Sequence, residues 1–410
     1  MPFPTTRDRL LPLRCATEPQ KPRRSTPIRL ESVRILVTGA TGYIGSRLVT
    51  TLLANGHEVV AGTRDPERLG RFGWVDDVSG VILDANDRES VHTAFAVAGP
   101  VDVVYYLVHG IGQPGFRDAD KAAAANVAIA AKDAGVRRIV YLGGFVPEDD
   151  TLSEHLASRA EVGQALTIDG GPEVAWLGAA IVLGAGSTSF EMLRYVGDRF
   201  PLIPVPPWME NPLDPISVRD VLHYLVAAAD SQLVPAGNYD IAGPQTTSYR
   251  ELLKTYAHVS GNWQTGVPVR GIGTAAASLV TALALPVPDG LAADLVRSLD
   301  HPMRAAAKLL RDVVPDPPGG LVSVEDAIAL SLSSSRPRRV NALVDPHHLA
   351  DSDPAWAGGD ALRIKHLFGL VTPPIARPTL GLVNMVPGPL AGALRTGLDV
   401  LLNLTPKVQA

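Results

Sequence analysis

Short apolar runs separated by amphipathic stretches set the rhythm of this chain. Ile35-Leu36-Val37 suits a buried parallel strand, and Ser46 to Leu53 continues with apolar residues at helical spacing. Gly56 to Thr63 supplies a second strand, Gly80 to Leu83 a third, Val101 to Val108 a fourth and Arg138 to Leu142 a fifth. Glu173 to Leu177 leads into another that ends near Ile181 to Gly184, and an alanine-rich helix from Ala122 to Ala134 falls between the fourth and fifth strands. This alternation predicts an α/β fold with a doubly wound parallel sheet, right-handed crossovers and ligand at the strands' carboxyl ends.

The pattern changes after residue 180. Ser187 to Tyr195 is an amphipathic helix, and Phe200 to Trp208 is an apolar loop stiffened by proline. Asp214 to Val221 reads as a sheet-edge strand and a helix start, with Asp220 a cap rather than a catalyst. Ala275 to Leu285 is too short to span a bilayer, for which about 20 apolar residues are needed, and reads as a buried helix. Ser323 and Asp326 have capping-box spacing ahead of a helix through Leu330. Ser333 to Arg339 reads as a linker. Pro389 to Leu404 forms an amphipathic helix with Leu390, Leu394, Leu398, Leu401 and Leu402 on one face. That face suits docking on the main domain or on a partner protein; a membrane surface is the weaker option, because Arg395 is offset by Asp399. The chain thus divides into an N-terminal extension (1–33), an α/β domain (34–335, with a smaller substrate-side region at 185–320), and a linker with a C-terminal helical tail (336–410).

Composition narrows the function. With 410 residues, 46% hydrophobic, 19% charged and a net charge of −5, the chain can bury a large core and gives no reason to expect nucleic acid. Its one cysteine, Cys15, lies outside the predicted fold, so no disulfide framework forms and a reducing cytoplasmic compartment is expected, with peripheral membrane contact as a variant. The first 33 residues are rich in Pro and Arg and lack apolar periodicity, and read as a disordered extension or an over-long start, with a transit-like sequence the weaker option. Leu10 to Leu13 is too short for the apolar core of a signal peptide.

The chemistry begins in the stretch Thr38-Gly39-Ala40-Thr41-Gly42-Tyr43-Ile44-Gly45, a glycine-rich turn between strand and helix. Gly39 allows the tight turn, Gly42 lets the backbone approach a pyrophosphate, and Gly45 lets the helix pack closely, so that N-terminal N–H groups face the anion. This is the phosphate cradle of a Rossmann-type dinucleotide site. About 20 residues on, an NAD-binding unit places an acid on the ribose. Here Thr63 ends the strand and Arg64 follows, with Arg68 beyond; a guanidinium there suits a 2′-phosphate, which favours NADP(H) over NAD(H). The competing reading has Arg64 paired with Asp65 or Glu67 and a site open to either cofactor. Asp84 and Ala85, at the end of the third strand, suit the adenine amino group, although Asp84 and Asn86 are also turn formers.

Together with Tyr105-Tyr106-Leu107-Val108-His109, Asn126, Val140 to Gly144, Asn211 to Val221 and Gly237 to Pro244, these residues resemble the atypical branch of the short-chain dehydrogenase/reductases. That branch includes NmrA-like and YbjT-like NAD(P)-binding proteins and a nucleotide-binding accessory subunit of respiratory complex I. The resemblance spans about residues 33–335. It implies an NAD(P)H cofactor held by Gly39, Thr41, Gly42, Tyr43, Ile44, Gly45, Arg64, Asp84, Ala85, Leu107, Val108 and His109, and no metal.

The departures bear on catalysis. Typical members carry Tyr and Lys four residues apart on one helix, the lysine lowering the phenol's pKa for proton exchange during hydride transfer. Here His155 and Arg159 stand at those positions, Gly143 and Gly144 replace the strand-end hydroxyl, and Asn126 has an apparent counterpart. In one reading His155, with an ordinary pKa of about 6.5, is the proton donor, Arg159 lines the same face and Asn126 positions a water or the helix backbone. In a second, His155 and Arg159 only hold ribose, phosphate or a carboxylate such as Glu161. In a third, His155 caps the helix or faces solvent. His109 is a second acid candidate. Glu191, Arg194 and Asn211 are the polar groups expected beside an apolar substrate pocket. The expectation is an NADP(H)-dependent oxidoreductase of a hydrophobic carbonyl- or quinone-like substrate, the alternative a non-catalytic NADPH-binding sensor or accessory subunit.

Overall fold

The computed structural model describes residues 32–363, apart from 111, 112, 114, 146–153, 276, 278–284, 306, 307, 335 and 361. Cys15, the extension up to residue 31, most of the 275–285 stretch and the Pro389 to Leu404 helix lie outside the described residues.

Seven parallel strands form the central sheet: β1 (Arg34–Thr38), β2 (Glu58–Thr63), β3 (Ser79–Ile82), β4 (Val103–Tyr106), β5 (Arg138–Gly144), β6 (Glu173–Ala179) and β7 (Gly237–Asp240). Their order is β7-β6-β5-β4-β1-β2-β3. The chain builds outward from β1 to β3, then returns to place β4 on the other side of β1, so a crevice opens between the ends of β1 and β4. Both faces are covered, which is why the strands read as continuous apolar runs. Ile35, Val37, Val59, Tyr105 and Leu177 pack with α1 (Tyr43–Ala54) and α6 (Val218–Ala227) on one face. On the other, Leu36, Val60, Val104, Tyr106 and Tyr141 meet α2 (Arg88–Ala98), α3 (Phe116–Asp133) and α4 (Glu154–Leu166).

A second core sits beyond the sheet's carboxyl edge. Phe190 and Leu193 of α5 (Thr188–Arg199), Leu252 and Tyr256 of α7 (Tyr249–Ser260), and Ala327 and Ile328 of α9 (Val324–Ser333) pack together there. Between the last two, α8 (Asp289–Ser298) lies against α4 and α5. Ser323 accepts from the Asp326 N–H at 3.1 Å, as its spacing predicts. The proline-rich Phe200 to Trp208 stretch forms a short strand, Leu202–Val205, paired in parallel with Thr265–Pro268, and takes no part in the cavities described below.

Residues 336–363 lie against the domain, where the sequence reads as a linker. Leu349 and Ala350 are buried, Arg338 bridges to Ala350, and the Ala185 N–H donates to the His347 carbonyl at 2.9 Å. The polar, proline-rich composition suggests a solvated segment, but His347, Asp353 and Asp360 are spent on buried partners.

Asp220 does not cap α6. Ser217 does, its hydroxyl accepting from the Arg219 N–H at 3.1 Å, while Asp220 is fully buried and accepts from the Val322 N–H at 2.9 Å. Its second oxygen has no partner among the described residues, and burial pushes its pKa up to about 6. The folded state therefore favours the protonated acid: stability is full below pH 4 and falls as pH rises through about 6. Asp220→Asn removes the buried charge and keeps an acceptor. It is expected to gain about 1–2 kcal/mol at pH 8 and almost nothing at pH 4, read from urea unfolding at both. Equal effects at both values would show that the carboxyl titrates normally.

Candidate functional site

The turn after β1 is built for a close approach by an anion. Gly39 has a φ of +72°, a conformation open to glycine at no cost, and the Gly42 N–H closes the turn on its carbonyl at 3.0 Å. A Cβ at Gly45 would lie 2.1 Å from the same carbonyl oxygen, so only hydrogen fits between helix and turn. Helix α1 starts at Tyr43 with no side-chain cap and no acid in its first turn. Its leading N–H groups are thus left for a phosphate.

A cleft of about 250 Å³ extends from this turn along the ends of β4, β5 and β6 to α5 and α8. Its walls include Gly39, Gly42, Tyr43, Ile44, Gly45 and Leu107 from the nucleotide side, and Gly143, Gly144, Arg159, Ser187, Thr188 and Ser189 opposite. Arg159 brings a positive charge, and no carboxylate lines the described wall. Ser187 caps α5, accepting from the Phe190 N–H at 3.2 Å, so a second helix N-terminus faces the cleft. Helix α5 borders the cleft, as the substrate-side reading of this region expects, but through Ser187 to Ser189 rather than Glu191 and Arg194; Leu291 and Leu295 on α8 escape the sequence reading.

The structure brings together some of the residues selected from sequence and separates others. Arg159 and His109 share the cleft. Arg159 forms no ion pair among the described residues. The His109 pKa is pushed down to about 3, by desolvation first and the Arg159 charge second. The ring is exposed to the cleft beside the Arg159 charge, and the lowered pKa favours a neutral imidazole at pH 7. Asn126 is turned away, donating to the Ala85 carbonyl at 3.1 Å and so bracing the turn after β3. Asp84 accepts from the Asn86 N–H at 3.1 Å in an Asx turn, with Ala85 buried beneath. Val108 packs on the core under the sheet, and Thr41 sits half-buried in the turn. Arg64 is exposed at the end of β2 and pairs with neither Asp65 nor Glu67; Asp65 instead accepts from the Glu67 N–H. His155 falls in the first turn of α4, and its side chain lies outside the described residues.

Three polar groups expected at the pocket are structural. Glu191 is fully buried, accepting from the Gly186 and Gly358 N–H groups at 2.9 and 3.0 Å; Arg194 donates to the Ser331 carbonyl; Asn211 holds the carbonyls of Leu299 and Asp300. A fourth cluster has the order of a nucleophilic triad. Ser217 Oγ lies 2.9 Å from His347 Nε2, and His347 Nδ1 lies 2.6 Å from Asp345 Oδ1. Ser217 already accepts from two N–H groups, so its proton goes to Nε2, and the imidazole is neutral with its hydrogen on Nδ1. Burial lowers the His347 pKa in the same sense. Serine and histidine are both buried, and the cluster serves as a clasp between α6 and the 336–363 segment.

Residues 39–167 match the NAD(P)H-binding family. Among curated relatives, the chain is 45% identical over 75 residues to a 3-diazoavenalumate denitrifying reductase from a Streptomyces species, covering 18% of this chain and 23% of that one. It is 34% identical over 145 residues to a 3-beta-hydroxysteroid dehydrogenase from Mycolicibacterium neoaurum, covering 30% and 38%. The chain therefore spans well under half the length of these relatives. Among solved structures, a nucleoside-diphosphate-sugar epimerase from Staphylococcus aureus superposes with a TM-score of 0.58 at 18% identity, covering 72% of this chain and 99% of that one. The triphenylmethane reductase of Citrobacter, complexed with NADP(H), gives 0.55 at 22% identity, covering 72% and 98%. At these identities the likeness is one of fold. Helix α4 of this chain carries neither a tyrosine nor a lysine. Residues 39–167 are an NAD(P)H-binding domain, on a fold shared with these epimerase and reductase structures.

Proposed function

We propose that the protein is an NADPH-dependent oxidoreductase acting on a hydrophobic ring carbonyl. The observation that carries this reading is that the cofactor cleft runs directly into an apolar annex of about 70 Å³, the two sharing Gly144, Ala179, Ala180, Ser189 and Leu295. A substrate seated there abuts the end of the cofactor cleft. The relative named as a 3-beta-hydroxysteroid dehydrogenase supports the same class of ring compound.

NADPH held in the cleft would supply a hydride to the carbonyl carbon, leaving NADP+, and a proton delivered to the oxygen would complete the alcohol. Arg159 supplies positive charge at the cleft wall, and the bare helix start at Tyr43 takes the pyrophosphate. His155, one helical turn before Arg159, is assigned the proton. Arg64, exposed at the end of β2 and without an ion-pair partner among the described residues, is assigned the 2′-phosphate.

NADPH absorbance, followed with cyclic ketones and quinones, tests the reading. Turnover is expected in the wild type and a loss of about 100-fold or more in His155→Ala with cofactor affinity retained. Arg64→Ala should weaken NADPH by about 10-fold or more and leave NADH nearly unchanged. Tight NADPH binding with no oxidation by any carbonyl would instead identify a cofactor-binding sensor. Equal losses for the two cofactors would remove Arg64 from the 2′-phosphate.

A further inference from the structure

The annex contains a hydroxyl that the protein itself does not use. Its walls are mostly apolar, including Met192, Leu295 and Met303, and its hydroxyls are Ser189, Ser298 and Tyr249. The chain has nine tyrosines, and eight are accounted for. Tyr105, Tyr141, Tyr195, Tyr239 and Tyr256 donate to a carbonyl or carboxylate. The hydroxyls of Tyr43, Tyr106 and Tyr224 are sealed in the interior. Tyr249 alone faces an open cavity while bonding to no described residue.

Its position is firmly set. Tyr249 is the first residue of α7, directly after Ser248, whose hydroxyl accepts from the Glu251 N–H at 3.3 Å. Thr247 and Ser248 pair antiparallel with Leu213 and Pro212, and Leu213 in turn bridges to Met303, another wall of the annex. A ring held at a helix start by strand pairing on one side and the annex wall on the other is a preorganised donor. Burial pushes its pKa up, so the phenol keeps its proton throughout the physiological range.

We propose that Tyr249 determines specificity at the substrate site by donating a hydrogen bond to the oxygen of a ring ketone or ring alcohol seated in the annex. The assignment rests on the oxidoreductase reading for the class of ligand; the bond itself needs no turnover. An apolar cavity with an unpaired phenol should prefer an oxygenated ring to the hydrocarbon of the same shape, because the hydrocarbon leaves that donor unpaired.

The test uses the full-length, NADPH-loaded protein with cyclohexanone and methylenecyclohexane, which differ in C=O against C=CH₂. Binding is measured by ligand-observed NMR. The wild type is expected to prefer the ketone by about 5- to 10-fold, and Tyr249→Phe to bind both alike, with unchanged melting temperature and NADPH affinity. A preference that survives in Tyr249→Phe overturns the proposal, as does a wild type that does not favour the ketone. The outcomes separate this idea from the proposed function. A protein that never oxidises NADPH yet shows the Tyr249-dependent preference loses only the function. One that reduces ketones equally well as Tyr249→Phe loses only the proposal.

Discussion

Asp353→Ala is expected to destabilise the protein by about 3–5 kcal/mol and to weaken NADPH binding, although the residue lies far along the chain from the glycine turn. The reason is Arg47, which sits one turn into α1 with only 2% of its surface exposed. Its guanidinium donates to both Asp353 oxygens, at 2.9 and 2.7 Å, and to the carbonyls of Pro346 and His348 at 2.9 Å each. It also lies over the Tyr43 ring at 4.1 Å. Removing the carboxylate leaves a buried cation without its counterion, and the cheapest escape is for α1 or the 336–363 segment to move. Because Tyr43 forms part of the cofactor cleft, that movement reaches the nucleotide. Urea melts and NADPH titration of the same variant read both effects. Replacing the pair together, as Arg47→Met with Asp353→Leu, should recover much of the stability, since an apolar pair carries no unpaired charge. A single variant that melts with the wild type would show the pair to be dispensable.

Gly45→Ala should abolish useful cofactor binding, with a loss of about 100-fold or more in NADPH affinity. The new Cβ would meet the Gly39 carbonyl oxygen at 2.1 Å, its carbon at 2.9 Å and Ala40 Cα at 3.1 Å, all backbone atoms that cannot swing aside. Either α1 slides or the turn opens, and each displaces the N–H groups that hold the pyrophosphate; the strain also costs about 1–3 kcal/mol of stability. Gly56→Ala is the control. That glycine has a φ of +82° but nothing within 4 Å of the place a methyl group would take, so it should lose about 1 kcal/mol and leave NADPH affinity intact. NADPH affinity unchanged in Gly45→Ala would mean that the helix start does not hold the phosphates.

Those two variants divide what the chain makes legible from what it hides. The strand, the glycine turn and the start of α1 follow from neighbours in sequence: apolar runs of strand length, then a turn that needs a positive φ at Gly39 and no Cβ at Gly45. The alternation of strands and helices likewise predicts the doubly wound sheet, because burial on both faces writes itself into each strand separately. Asn126 and Asp220 were legible as polar residues with a task but not as to which task, since the partners, the Ala85 carbonyl and the Val322 N–H, come from other elements. The same holds for the annex, whose walls come from β6, α5, α7 and α8, and for the donor Tyr249 within it.

By itself the sequence determined the fold class, the dinucleotide cradle and the absence of the Tyr and Lys pair, all of which are properties of short windows. The tertiary structure alone decided that residues 336–363 clasp the cofactor helix, that Arg159 and His109 face one cleft, and that an apolar annex adjoins it. Arg47 and Asp353 are 306 residues apart, and no local preference links them. A buried charge must find its counterion wherever the folded chain brings one, and periodicity carries no record of that meeting.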